Sequence, residues 1–341
     1  MMKESVNVVI TGVGSTTAYG VVKGLRIQSE FGVRIVGTDT HSPKGIAGSQ
    51  FVDSFYPVPP AADEAAYLRE LTGIIEREDA DLLIPIHDME LGVLARNRAI
   101  IEDLTCLILS PTMTILTCND KWKTFEFCRK NGFATLNTIL VTELSHVKED
   151  IEEAGIDYPF MVKPRIGVGS QDIHEIRSER DLGLIERATD PIIQEMSNGQ
   201  LYTVDLFSDG EQNIAAVPRR QLEARAGVDY MGRTEHDQDL IGLSHRISKI
   251  LPFKGPVNIQ YFKDGGDCRV LEINPRFAAS NHLTTMAGIN FPLLTLKLAS
   301  GEALTPITDF TRMSFCRYWE MAFRDEAGTG VPDPGIRPPH H

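Results

Sequence analysis

The sequence has no apolar stretch of the roughly 18 residues that a helix needs to cross a bilayer, so no membrane span is expected. It has no run of five or more basic residues, and 34 Lys+Arg against 47 Asp+Glu leave a net charge of −13. A chain of that sign repels nucleic acid and anionic lipid, which argues against both as partners. None of the five cysteines (Cys106, Cys118, Cys128, Cys268, Cys316) forms a C-x-x-C pair, and their number is odd. Reduced thiols in a cytoplasmic protein are expected, not a disulfide framework. Met1 to Asn7 lacks the look of a signal peptide. No internal repeat is visible, and no convincing Ser-His-Asp or Cys-His set, so chemistry through a protein nucleophile is not expected.

Hydrophobic residues fill 42% of the 341 positions, ample for a sizeable core. At roughly 150 residues per domain, two or three domains are expected. Val6 to Thr11 reads as a buried strand entering Gly12-Val13-Gly14, with a helix to about Ser29 and a second strand, Val33 to Asp39. Leu68, Leu71, Ile74 and Ile75 recur at helical spacing between Glu64 and Glu78, and Leu82 to Ile86 is another apolar strand. This alternation predicts a parallel α/β unit with right-handed crossovers over 1–110. A second region, 111–192, has a helix over 121–131 capped by Asn119-Asp120, strands at 134–141 and 160–164, and helical stretches at 145–154 and 180–187. A third, 193–323, is richer in strands (202–208, 214–218, 257–262, 269–273), with helices over 237–251 and 290–300. Residues 324–341 are Gly/Pro-rich and predict a loose tail, and His340-His341 reads as a tail remnant, not a metal site.

The strongest chemical pattern is Asn258-x-Gln260 followed by Glu272-x-Asn274-Pro275-Arg276. Alternate side chains of a strand share a face, so if the two strands pair, four oxygen-bearing side chains converge. Magnesium takes oxygen ligands, commonly one or two carboxylates plus substrate phosphates. Glu272 is placed to bridge two ions, with Gln260 and Asn274 each serving one, and Arg276 to reach a transferring phosphate. Upstream, Lys163 ends a strand and precedes a loop with Gly167, Gly169 and Ser170, a combination suited to phosphate. Gln194 and Glu195 end another strand, from which backbone groups can meet an adenine edge.

In this order the patterns resemble the ATP-grasp superfamily over roughly residues 5 to 310, above all the synthetase modules of the carbamoyl phosphate synthase large subunit and their stand-alone carboxylate–amine ligase relatives. The resemblance implies an ATP-grasp fold, α/β plus α+β, preceded by a Rossmann-like pre-ATP-grasp domain. Lys121, after Asp120, matches a phosphate-binding basic residue, Lys163 the second one, and Gly167 to Ile173 the phosphate-covering loop. Glu195 matches the hinge beside adenine and ribose. Asn258, Gln260, Glu272, Asn274 and Arg276 match the metal and phosphate residues, with Gln260 in place of an acid as in the carbamoyl phosphate synthase branch. Two positions depart from the pattern: Asp172 stands where glycine is usual, and Leu201 where an acid is common.

The resemblance implies ATP, Mg2+ (or Mn2+) as two ions, a small-molecule carboxylate activated as an acyl phosphate, and attack by an amine or ammonia. A homodimer is a reasonable expectation. Two other readings compete. The departures leave room for a non-catalytic nucleotide sensor. Gly12-Val13-Gly14, Gly20 and Asp39 imitate a dinucleotide fingerprint. Asp88 and Glu90 are candidates for an acceptor site, Arg219, Arg220 and Arg225 for a carboxylate clamp, and Arg317-Tyr318-Trp319 carries no assigned chemistry.

Overall fold

In chain order the first unit comprises β1 (Ser5–Ile10), α1 (Thr16–Ile27), β2 (Gly32–Asp39), β3 (Ser54–Pro57), α2 (Glu64–Arg77), β4 (Leu82–Ile84), α3 (Asp88–Arg96), α4 (Arg98–Glu102) and β5 (Cys106–Leu107) in the computed structural model. Residues 5–167, 172–225, 227–318, 320–325 and 330–331 are described, so Gly169 and Ser170 of the expected covering loop and the terminal histidines lie outside the described residues. Val6, Val8, Val9 and Ile10 are all buried, as they must be in a strand covered on both faces. The sheet is parallel in the order β3-β2-β1-β4-β5, a Rossmann-like arrangement. Its strand order reverses between β1 and β4, where ligand crevices form in such sheets.

The second unit contains α5 (Thr112–Cys118), α6 (Lys121–Lys130), β6 (Thr138–Leu140), α7 (Val147–Glu153), β7 (Phe160–Pro164), β8 (His174–Ile176) and β9 (Pro191–Glu195). Asp120 caps α6, its carboxylate accepting the Lys123 amide at 3.1 Å, which stabilises a helix start by about 1 kcal/mol. The four strands make an antiparallel sheet, β6-β9-β7-β8. Residues 180–187, expected as a helix, lie in a 3-10 helix, Glu179–Arg187.

The third unit has β10 (Gln200–Ser208), β11 (Asn213–Arg225), β12 (Val228–Thr234), α8 (Gln238–Ile250), β13 (Gly255–Asp264), β14 (Asp267–Asn274), α9 (Asn281–Met286), α10 (Phe291–Ala299) and β15 (Ser314–Cys316). Its sheet runs β14-β13-β10-β11-β12-β15, antiparallel throughout. One face is apolar: Val204, Ile259, Tyr261 and Ile273 pack with Leu240 and Ile247 of α8. The other face, offset by one residue along each strand, carries the polar residues of the site.

Two features depart from the sequence reading. Helix α10 shares one hydrophobic core with the first unit: Phe291 and Leu294 pack with Val8, Ile10 and Val21, and α9 lies against α1 beside it. Close approach explains it, since a Cβ on Gly20 would lie 2.7 Å from the Asn281 side chain and one on Gly24 would lie 2.7 Å from Pro292. The start of the expected tail is also engaged. Strands β16 (Phe323–Arg324) and β17 (Gly330–Val331) pair, and Arg324 donates to the Ile46 carbonyl at 2.9 Å and to Ser49 Oγ at 2.6 Å.

Candidate active site

Strands β13 and β14 pair with Asn258 opposite Asn274 and Gln260 opposite Glu272. All four side chains therefore share a face, as the alternation predicts. Asn274 Nδ2 donates to Asn258 Oδ1 at 3.2 Å and to Glu272 Oε1 at 3.1 Å, so its amide oxygen is turned away from its neighbours. The Gln260 side chain has no hydrogen-bond partner among the described residues. Among those residues no cluster of three or more His, Cys, Asp or Glu suits a metal. The donor set is thus one carboxylate and amide oxygens, incomplete without phosphate. That composition fits Mg2+, which keeps few protein ligands and completes its shell with water and substrate phosphates.

A cleft opens beside Glu272 and Asn274, lined also by Asp88, Lys121 and Gly167. Lys121 Nζ donates to the Gly167 carbonyl at 3.1 Å, so the first turn of α6 meets the base of the covering loop. Arg165 grips Asp120 through Nε at 2.9 Å and Nη2 at 2.8 Å, fixing the chain between β7 and that loop. Lys163 Nζ donates to Gln194 Oε1 at 2.8 Å. Burial pulls its pKa below that of an ordinary lysine, Glu272 pulls it back up, and the Lys121 charge lowers it further. Asp172 has φ 53°, the left-handed region where glycine is at home and where aspartate is better tolerated than most residues.

The structure refines two expected adenine contacts. Gln194 is buried in the middle of its sheet, its backbone aligned with Thr138 on one side and Met161 on the other. Its side chain accepts from Lys163 and donates to Thr138 Oγ1 at 3.1 Å, so it holds the lysine and offers no backbone edge. The Glu195 amide donates to the Asn137 carbonyl at 2.9 Å, and its carboxylate is bound by Arg269 at 3.0 Å. Strand pairing ends there, so a free backbone edge begins only at Met196.

Residues 187–317 match a family model described as ATP-grasp in the biosynthetic pathway with Ter operon. The arginine-specific carbamoyl phosphate synthase large chain of Bacillus subtilis is 22% identical over 313 residues, covering 86% of this chain and 29% of that protein. Among solved structures, N5-carboxyaminoimidazole synthetase of Staphylococcus aureus with ADP aligns at a TM-score of 0.70 and 17% identity, over 89% of this chain and 79% of that one. The biotin carboxylase domain dimer of Hydrogenobacter thermophilus 2-oxoglutarate carboxylase, with MgADP, ADP and bicarbonate, also gives 0.70 and 17%, over 88% and 71%. The chain has the ATP-grasp fold. It spans less than a third of the carbamoyl phosphate synthase chain it matches.

The arginines expected as a carboxylate clamp are not equivalent. Arg219 is buried and grips Asp205 through Nε at 2.8 Å and Nη2 at 2.9 Å, with Nη1 on Asp229 at 3.0 Å. Burial opposes its charge, but the two carboxylates more than offset that and raise its pKa. An arginine so engaged is not free to clamp a substrate. Arg225 stacks on Tyr230 at 3.5 Å and bonds Glu223 at the surface. Arg317, given no role from sequence, is different. It donates to the carbonyls of Asp229 at 2.6 Å and Ala279 at 3.0 Å and to Ser280 Oγ at 3.0 Å. Burial lowers its pKa, with Asp229 only partly offsetting and Arg219 adding to the fall. Nothing in the sequence around it marks a half-buried guanidinium with no carboxylate bound to it among the described residues.

The glycine loop of the first domain is filled by its own chain. The Gly14 amide donates to Asp39 Oδ2 at 2.9 Å, and Asp39 Oδ1 accepts the His41 amide at 3.0 Å. A Cβ on Gly48 would lie 1.8 Å from the Val13 carbonyl, and one on Gly12 2.3 Å from the His87 ring. The atoms that a dinucleotide pyrophosphate and ribose would need are thereby engaged.

Proposed function

We propose that this ATP-grasp chain is an ADP-forming ligase that activates a small carboxylate as an acyl phosphate for attack by an amine or ammonia. The observation that carries the reading is the convergence of Asn258, Gln260, Glu272 and Asn274 on one sheet face, beside a cleft that also receives Lys121. Gln260, Glu272 and Asn274 would hold two magnesium ions, or manganese, which when bound supply charge screening and polarise the phosphate oxygens. Lys121 and Lys163 would bind ATP phosphates, Gln194 would orient Lys163, and the chain from Met196 would meet adenine. Arg317 is the group we assign to the substrate carboxylate, because no acid among the described residues is bonded to its guanidinium.

The electrons then move in two displacements. A carboxylate oxygen attacks the γ-phosphorus, the bond from phosphorus to the β,γ-bridging oxygen breaks, and ADP leaves. The amine nitrogen attacks the carbonyl carbon of the acyl phosphate, the C–O bond to phosphate breaks, and the nitrogen sheds a proton to solvent or phosphate. The bicarbonate held by the biotin carboxylase fold neighbour and the carbamoyl phosphate synthase likeness support bicarbonate as a first carboxylate to try. Free ammonia and primary amines are the nucleophiles to pair with it. Cytoplasmic location and a homodimer accompany this proposal.

The test is magnesium-dependent ADP release from the purified chain against panels of carboxylates and amines, bicarbonate and ammonia included. We expect at least one pair to stimulate release severalfold over ATP alone. A chain that binds MgATP yet is stimulated by no pair would overturn the ligase reading and favour a nucleotide sensor.

A further inference from the structure

Arg276 follows the last strand of the candidate metal site, yet its guanidinium is held by the other domain. Asp88 accepts from its Nε at 2.7 Å and its Nη2 at 2.6 Å, and the Phe277 carbonyl accepts from Nη1 at 3.0 Å. Burial opposes the arginine charge, and Asp88 outweighs it, raising the pKa. A guanidinium has five N–H donors in a fixed fork, so two remain for a ligand. Asp88 itself lines the cleft that Lys121, Glu272 and Asn274 share.

Asp88 is also fixed from beneath. It opens α3, and the turn before it is pinned by Glu90, a buried carboxyl whose Oε1 accepts the His87 amide at 3.0 Å and Thr11 Oγ1 at 2.9 Å. Thr11 Oγ1 accepts the Ile86 amide at 3.0 Å, and Tyr67 hydroxyl donates to Glu90 Oε2. Burial raises the Glu90 pKa, so this turn is held by a group that is expensive to bury. From the other side, Asn119 Nδ2 donates to the Asp88 carbonyl at 2.9 Å, tying the turn to the chain that leads into Lys121.

We propose that Asp88 is a positioning residue of the ATP site: it aims Arg276 so that its two remaining N–H groups meet the γ-phosphate. The Rossmann-like domain thus contributes to phosphate recognition, although it touches the nucleotide only through Arg276. This rests on the nucleotide reading above. Its distinctive consequence is selectivity, because Asp88 should matter for a triphosphate and not for a diphosphate.

The test uses the full chain and calorimetric titration with magnesium plus ADP, or magnesium plus the β,γ-imido analogue of ATP. Asp88→Asn keeps the shape and removes the charge. It should weaken the analogue about tenfold, in line with loss of one well-aimed charge-assisted contact, and leave ADP within twofold. Arg276→Lys should give the same selective loss, the double variant no further loss, and Asp88→Glu a partial recovery. A pair that merely staples two domains would weaken both nucleotides alike, or lower Tm without changing their ratio. Either result overturns the proposal, as would losses that add in the double variant. If the wild-type chain binds neither nucleotide with magnesium, the nucleotide reading itself fails and takes this one with it.

Discussion

Replacing Glu272 with glutamine tests the metal site most sharply, because Glu272 is the one carboxylate in the set formed with Asn258, Gln260 and Asn274. The other acid lining the cleft, Asp88, is spent on Arg276 at 2.6 Å. A unit charge pair about 4 Å apart at an effective dielectric of about 20 is worth roughly 4 kcal/mol. At about 1.4 kcal/mol per decade that corresponds to a fall of roughly a thousandfold in magnesium-dependent turnover. The substituted amide would still accept from Asn274 Nδ2, which lies 3.1 Å from Glu272 Oε1, and the position is only half-buried. Stability should therefore change by about 1 kcal/mol or less. The assay is ADP release against magnesium concentration, with Tm measured on the same preparation. Turnover at the wild-type rate with an unchanged magnesium midpoint would refute the reasoning, because among the described residues the only other acid lining the cleft is Asp88, which is held by Arg276.

Two further predictions concern the cationic side and the buried network. Lys163 has a pKa held below the usual lysine value by burial, against the opposing pull of Glu272. Its charge is therefore lost at lower pH than an ordinary lysine would lose it, and nucleotide affinity should fall as pH rises through the alkaline range toward that usual value. Over the same window the unfolded chain binds more protons than the folded one, so this group makes the fold more stable as pH rises; Lys163→Arg should move the loss of affinity upward, checked by nucleotide titration across pH. Asp205→Ala should cost about 3–5 kcal/mol, because it strips a buried guanidinium of its bidentate partner; denaturant unfolding measures it, and a change under about 1 kcal/mol would show that Asp229 alone suffices for Arg219.

What the sequence made legible was local. The alternation in Asn258-x-Gln260 and Glu272-x-Asn274 survives as register because strand periodicity is fixed at two. Asp120 is legible as a cap for the same kind of reason, its short side chain reaching an amide three residues on. Strand β11, expected to stop at Pro218, runs on to Arg225, and β12 went unread. Both segments are polar and partly exposed, so neither shows the apolar run by which a strand is recognised. The Asp88–Arg276 pair spans 188 positions, and no periodicity links residues so far apart. Gln194 illustrates a third case: its place at a strand end was visible, but only the neighbouring strand reveals that its side chain serves Lys163.

One sheet face explains why these parts lie together. Cross-strand pairing aligns Glu272, Gln260, Thr203 and Arg219 in one row and Asn274, Asn258 and Asp205 in the next. At the β14 edge, oxygen donors have few partners and face a cleft. Two strands further in, the same face is closed by the Asp205–Arg219–Asp229 network, with Thr284 donating to Asp205 and Ser280 to Asp229 at 3.1 Å. The segment that contributes Ser280 begins just beyond Arg276 and packs through α9 against α1, where Asn281 donates to the Thr17 carbonyl at 3.0 Å. The buried ion pairs therefore hold, through Ser280 and Thr284, the segment that follows Arg276. A chain with those ion pairs replaced by apolar residues of equal volume would keep its stability, but it would lose the polar anchors for Ser280 and Thr284. For this domain, the charge buried beside the site is better understood as holding the loop in place than as holding the fold together.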